Sequence, residues 1–149
     1  MTDGDPARTR PASGMRPRVA RVLVIDDDAE VAGMLQSLLS DEFEVTASTR
    51  PCEALELLTS GNRYDVILCD VMMPAMTGVD LRERVHADLP DMAARFVFMT
   101  GGVPRADVRQ LLDALPNVVI EKPFDLESLR DLVRRRAQGD SPARSASRS

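Results

Sequence analysis

The chain has 149 residues, 44% of them hydrophobic and 29% charged, with a net charge of −5, which suits one globular domain with its own core and leaves no room for a second. No run approaches the roughly 18 apolar residues of a membrane span, and Met1 to Arg21 lacks the apolar stretch of a signal peptide, so a cytoplasmic location is expected. Cys52 and Cys69 lack metal-ligand spacing and His86 is the single histidine, which argues against a structural zinc site or a Cys-His catalytic couple; both thiols are expected to be buried.

The charge is unevenly spread. Residues 1–21 carry five Arg against two Asp, and residues 130–149 six Arg against two Asp, so the ends are +3 and +4 and the body between them is −12. Both ends are rich in Pro, Ser, Gly and Arg and too poor in apolar side chains to fold. Residues 1–18 and 138–149 are therefore expected to be disordered basic tails around a domain spanning 19–137. Arginines without interleaved aromatics read as solubilising ends rather than a nucleic-acid surface.

Between the tails, short apolar runs alternate with helical periods five times, the pattern of βα units around a parallel sheet. The first strand is expected over Arg21 to Asp26, followed by a helix with the stripe Val31, Met34, Leu35, Leu38 and Leu39. A weaker strand covers Glu44 to Ser48. Thr49 is placed to cap the next helix, Pro51 suits its first turn, Ala54, Leu55 and Leu58 form its buried face, and Gly61 stops it. The third strand, Val66 to Asp70, is apolar up to its last residue, as a strand covered on both faces should be. Pro74 and Gly78 hold the next segment as a loop before a short helix through Leu81 and Val85. The fourth strand runs from Arg95 to Thr100 and ends at Gly101-Gly102; a helix from about Pro104 then presents Val108, Leu111, Leu112 and Leu115. The last strand is Val118 to Glu121, and Asp125 is placed to cap a final helix carrying Leu126, Leu129, Leu132 and Val133.

Four strands end in reactive groups: Asp26-Asp27-Asp28, Asp70, Thr100 and, past the fifth strand, Lys122, the only lysine among nineteen basic side chains. In a doubly wound sheet ligands bind beyond the carboxyl ends of the strands. Carboxylates gathered there repel one another by roughly 4 kcal/mol per pair at 4 Å and an effective dielectric near 20, so Asp26, Asp27 and Asp70 together call for a cation. Magnesium fits, since it takes oxygen ligands from one or two carboxylates plus phosphate. Lys122 and the Thr100 hydroxyl would face the same phosphoryl group from the other side.

These residues resemble the receiver domain of bacterial two-component response regulators. The resemblance covers Arg21 to Arg136 and is carried by Asp70-Val71-Met72-Met73-Pro74-Ala75-Met76-Thr77-Gly78, similar to the family's Asp-x-x-Met-Pro-x-x-x-Gly, by the acidic cluster, by Thr100 and by Lys122-Pro123-Phe124. It implies an α/β, doubly wound (βα)5 fold whose five-stranded parallel sheet has the flavodoxin-like order 2-1-3-4-5, with helices on both faces. It implies Asp70 as phosphoacceptor, attacking a phosphohistidine of a sensor histidine kinase or histidine phosphotransfer protein. Mg2+ would be held by Asp27, Asp70 and the Met72 backbone carbonyl, with Asp26 acting through a water. Lys122 would pair with Asp70 and then with the phosphoryl oxygens, Thr100 would swing inward, Lys122-Pro123 would be cis, and Asp28 would cap the first helix. The chain would catalyse only its own phosphorylation and dephosphorylation, and would signal through a downstream protein target.

Two departures from the family pattern bear on mechanism. Val119 stands where most receivers have an aromatic, and Gly102 and Met72, near the position of the hydrolytic water, offer no polar side chain, so slow self-dephosphorylation is expected. Other readings are a receiver portion of a hybrid kinase or phosphorelay protein, a haloacid-dehalogenase-type phosphatase using Asp26-x-Asp28, a nucleic-acid binder acting through its tails, and a degenerate docking module. No acidic pair follows Lys122, no cap domain fits, the body is acidic, and the set Asp26, Asp27, Asp70, Thr100 and Lys122 is intact. These features favour a phosphoaccepting receiver, with the opening Met1 and the Arg-Ser end pointing to a stand-alone one.

Overall fold

The computed structural model describes residues 19–102 and 104–138; of the tails expected to be disordered, 1–18 and 139–149 lie outside the described residues, while Gln138 is described and caps the last helix. The elements follow in chain order as β1 (Arg21–Ile25), α1 (Ala29–Leu39), β2 (Glu44–Ser48), α2 (Pro51–Thr59), β3 (Val66–Asp70), α3 (Gly78–Asp88), the short α4 (Pro90–Ala93), β4 (Phe96–Thr100), α5 (Ala106–Asp113), β5 (Val118–Glu121) and α6 (Leu126–Ala137). The strands form one parallel sheet in the order β2-β1-β3-β4-β5.

Period-two alternation splits the core into two layers. Leu23, Ile25, Ile67, Cys69, Phe96 and Phe98 point to one face, where Ala54, Leu58, Leu81, Val85, Val108 and Leu112 from α2, α3 and α5 cover them. Val22, Val24, Val66, Leu68, Val97 and Met99 point to the other, under Ala32, Leu35 and Leu39 of α1 and Leu129 and Val133 of α6. All five residues of β3 and of β4 are buried, whereas the edge strands β2 and β5 are only partly covered. A strand wrapped on both sides must be apolar throughout, which is why the central runs stood out in the sequence.

Several local expectations need correcting. The α2 N-cap is Arg50 and makes no side-chain capping bond; Thr49 lies one residue too early, and the nearby Ser48 hydroxyl instead accepts from the Arg50 N–H at 3.3 Å. In α1 the buried line is Ala32, Leu35 and Leu39, while Met34 and Leu38, on its shoulder, are 48% and 37% exposed. Leu111 of α5 is likewise exposed. Cys69 is buried as expected, but Cys52 is exposed in the first turn of α2. The short α4 was not anticipated, because its four residues span too little chain for any period to show.

Candidate functional site

The chain leaves β1 for β2 on one side and returns to β3 on the other, so a crevice opens between the carboxyl ends of β1 and β3. Parallel register pairs Ile25 with Cys69. One step further along, Asp26 and Asp70 therefore come out side by side. Asp70 in turn pairs with Met99, and Thr100 with Glu121, which brings Thr100 and Lys122 to the same rim. The Lys122 N–H donates to the Thr100 carbonyl at 2.7 Å, extending the sheet by one bond and fixing where the lysine stem begins.

The result is a hollow of about 300 Å3 walled by Asp26, Asp27, Asp70, Met72, Thr100 and Lys122 among others. Carboxylate oxygens of Asp26, Asp27 and Asp70 lie within 4.8 Å of one another. Asp26 is fully buried and Asp70 nearly so, whereas Asp27 is exposed. Lys122 Nζ lies 2.9 Å from Asp26 Oδ2 and 3.5 Å from Asp70 Oδ1. Burial, then the charge of Asp26, and more weakly Asp27, raise the Asp70 pKa to about 6, with Lys122 pulling the other way. Burial works against the Lys122 ammonium, but its hydrogen bond to Asp26 and the charges of Asp70 and Asp26 outweigh that, and its pKa rises. The hollow thus carries more negative charge than its one lysine neutralises.

Loop geometry frames this hollow. Asp28 accepts from the N–H of Glu30 at 3.0 Å and of Val31 at 3.5 Å, so it caps α1, and its own N–H donates to Asp26 Oδ1 at 2.9 Å. The second Asp of Asp26-x-Asp28 is therefore spent on the helix. Thr77 and Asp80 form a reciprocal capping box that starts α3. A Cβ at Gly78 would meet the Asp70 carbonyl oxygen at 2.6 Å. A glycine is needed there because the α3 start passes against the backbone of Asp70, a reason the sequence, read as a loop signal, did not disclose. The Lys122-Pro123 bond is cis.

The residues expected to converge, Asp26, Asp27, Asp70, Met72, Thr100 and Lys122, wall one hollow, joined by Gly101 and Pro104; that Lys122 would lie nearer Asp26 than Asp70 was not expected. A second hollow, of about 440 Å3, lies between α5 and β5 and shares Thr100 and Pro104 with the first; Val119, 42% exposed, and Glu121 line it. Nothing in the sequence pattern predicts that shared wall, since it depends on how far α5 stands from the sheet edge.

A doubly wound sheet with an acidic trio facing a lysine across its switch point defines an α/β module with a candidate cation site at the carboxyl ends of its strands. The family profile of the response regulator receiver domain matches residues 22–134, and the chain belongs to that family. It is 33% identical over 126 residues to the DNA-binding response regulator MtrA of Mycobacterium leprae (83% of this chain, 54% of MtrA). It is 29% identical over 122 residues to the transcriptional regulatory protein DltR of Streptococcus agalactiae (81% and 53%). To the sensor kinase CckA of Brucella abortus it is 32% identical over 114 residues (76% and 12%). The chain thus spans about half the length of MtrA and DltR and far less of CckA. Among solved structures it resembles the chemotaxis protein CheY4 of Vibrio cholerae, with 28% identity and a TM-score of 0.68 over 79% of this chain and 98% of that one. A CheY-like receiver from Methanospirillum hungatei shares the fold, with 23% identity and a TM-score of 0.71 over 81% and 95%. No helix among the described residues is long and apolar enough to cross a membrane.

Proposed function

We propose that the chain takes a phosphoryl group onto Asp70 from the phosphohistidine of a sensor histidine kinase or a histidine phosphotransfer protein, in the cytoplasm, and so switches a surface that binds a protein target. The observation that carries this reading is the acidic trio gathered within 4.8 Å with an ammonium 3.5 Å from Asp70. An Asp70 oxygen attacks phosphorus as the P–N bond breaks, and the electron pair of that bond stays on the departing imidazole nitrogen. With a pKa raised only to about 6, Asp70 is mostly ionised at neutral pH and available as a nucleophile. Lys122 and the Thr100 hydroxyl then hold the phosphoryl oxygens.

The donor set fits magnesium. It offers only hard oxygen ligands; the nearest thiol, Cys69, is buried and its pKa is pushed up by that burial, so it stays a neutral core group. Asp27, Asp70 and the Met72 carbonyl would hold the ion, with Asp26 behind a water. An ion held there would supply positive charge to neutralise phosphoryl oxygens. Asp28, committed to capping α1, has no place in that set.

The proposed switching surface is the face formed by α5 and β5. A phosphoryl group adds about −1.5 to −2 charge at neutral pH, enough to draw Thr100 and Lys122 to new positions, and Thr100 already walls the hollow beneath α5. Mass spectrometry after incubation with acetyl phosphate and magnesium should show one added phosphoryl group, absent in Asp70→Asn. Labelling that survives in Asp70→Asn and disappears in Asp26→Asn would instead assign phosphatase-type chemistry. Pull-downs with and without beryllofluoride then identify the target.

A further inference from the structure

At the amino end of the sheet, opposite the acidic trio, β1 begins beside the last turn of α6, and the seam between them opens into a hollow of about 580 Å3. This is larger than either hollow beside Thr100. Its apolar walls are Val19, Ala20, Phe43 and Ala137. The polar groups at its edge already have partners, since Arg134 grips Glu42 through Nε and, at 2.8 Å, through Nη2, while Asp65 accepts from the Arg21 N–H at 2.8 Å. What the hollow still offers is apolar surface, with Val19 60% exposed at the rim.

Two stretches of this chain outside the described residues join the hollow directly, 1–18 at Val19 and 139–149 at Gln138. Residues 139–149 contain no Val, Leu, Ile, Met or aromatic, so they have little to bury. Residues 1–18 place Met15 four positions before Val19, followed by Arg16-Pro17-Arg18. We propose that Met15 docks in this amino-end hollow, so that residues 15–18 form a strap bracing the last turn of α6 against β1. Four residues of extended chain reach about 13–14 Å, and Val19 is itself a wall of the hollow, so the side chain has enough tether. Methionine's unbranched thioether suits an irregular apolar gap. Glu42 and Asp65 against Arg134 leave the lining with one net negative charge, which Arg16 and Arg18 complement on either side of Pro17. Pro17 also restricts its own backbone and that of Arg16, so docking costs less conformational freedom. The tail expected to be disordered would then end at Gly14.

Trypsin reads the docking in the full chain, because Arg18–Val19 is the one arginine bond of the strap open to it, Arg16 being followed by proline. Cutting there follows the fraction of chains with the strap open. Met15→Ser, which removes the apolar anchor, should speed that cut at least about tenfold, and Met15→Leu should leave it near the wild-type rate. In chain carrying labelled methionine methyl groups, the resonance that Met15→Ser deletes should show a through-space contact to the Phe43 ring. Equal cutting of wild type and Met15→Ser, or no contact between Met15 and Phe43, would overturn the strap. Protection that grows with chain concentration would overturn it as well, by giving the hollow to a second copy.

Discussion

The Asp70 carboxylate, which the proposed reaction needs ionised, is made easier to protonate by burial and by the charge of Asp26. The Asp70 pKa stands at about 6 instead of the usual 3.8, so the folded ion-free chain binds that proton more strongly than the unfolded one. The stabilisation from protonated Asp70 is complete below about pH 4 and is lost as pH rises through about 6. Urea midpoints without magnesium should therefore favour Asp70→Asn over wild type increasingly between about pH 4 and about pH 6 and by a constant margin above that; no change in the difference across that window would show that burial and Asp26 do not act on Asp70 as described. At the same scale, Met72 and Gly102 line the pocket without a polar side chain to orient a water, so the phosphorylated chain should decay over minutes or longer, and a half-life of seconds would count against this. Asp26, Asp70, Thr100 and Lys122 were legible in the sequence as a candidate cluster because each ends or directly follows a strand, and strand ends converge by topology alone. The preference of Lys122 for Asp26 was not, since it turns on less than an ångström of side-chain placement.

At the scale of elements, caps decide where helices begin. Asp125 accepts from the Ser128 N–H at 2.9 Å and the Ser128 hydroxyl at 3.0 Å, starting α6 just past the Lys122-Pro123 turn. Asp125→Ala should cost about 1 kcal/mol in chemical denaturation. The α2 start shows what the sequence leaves open: Thr49 is the capping type, yet the extended backbone that precedes the helix lies at Arg50. The α1 stripe was drawn too wide for a related reason. Apolar type does not separate the line facing the sheet, Ala32, Leu35 and Leu39, from Met34 and Leu38 one step around the helix. By contrast β3 and β4, buried on both faces, were plain from composition alone.

Across the whole molecule, one polar node ties helices to the sheet. Buried Arg82 of α3 donates from Nε to Asn117 Oδ1 at 2.8 Å, and Asn117 Nδ2 donates to the carbonyls of Ala93 at 3.1 Å and Phe96 at 2.9 Å. Asn117→Ala would strand a buried guanidinium nitrogen and two carbonyls, so a loss of roughly 2–4 kcal/mol is expected in urea unfolding; a loss under about 0.5 kcal/mol would mean that water replaces the amide. The node was invisible in the sequence because its members lie 35 positions apart and join through tertiary packing. The two hollows that meet at Thr100 and Pro104 carry a last consequence, set by thermodynamic reciprocity. A target that grips the beryllofluoride-loaded chain more strongly than the free chain must strengthen beryllofluoride's own hold by the same factor. Listener and signal would then each stabilise the other, and the abundance of the target would help set how sensitively the chain responds.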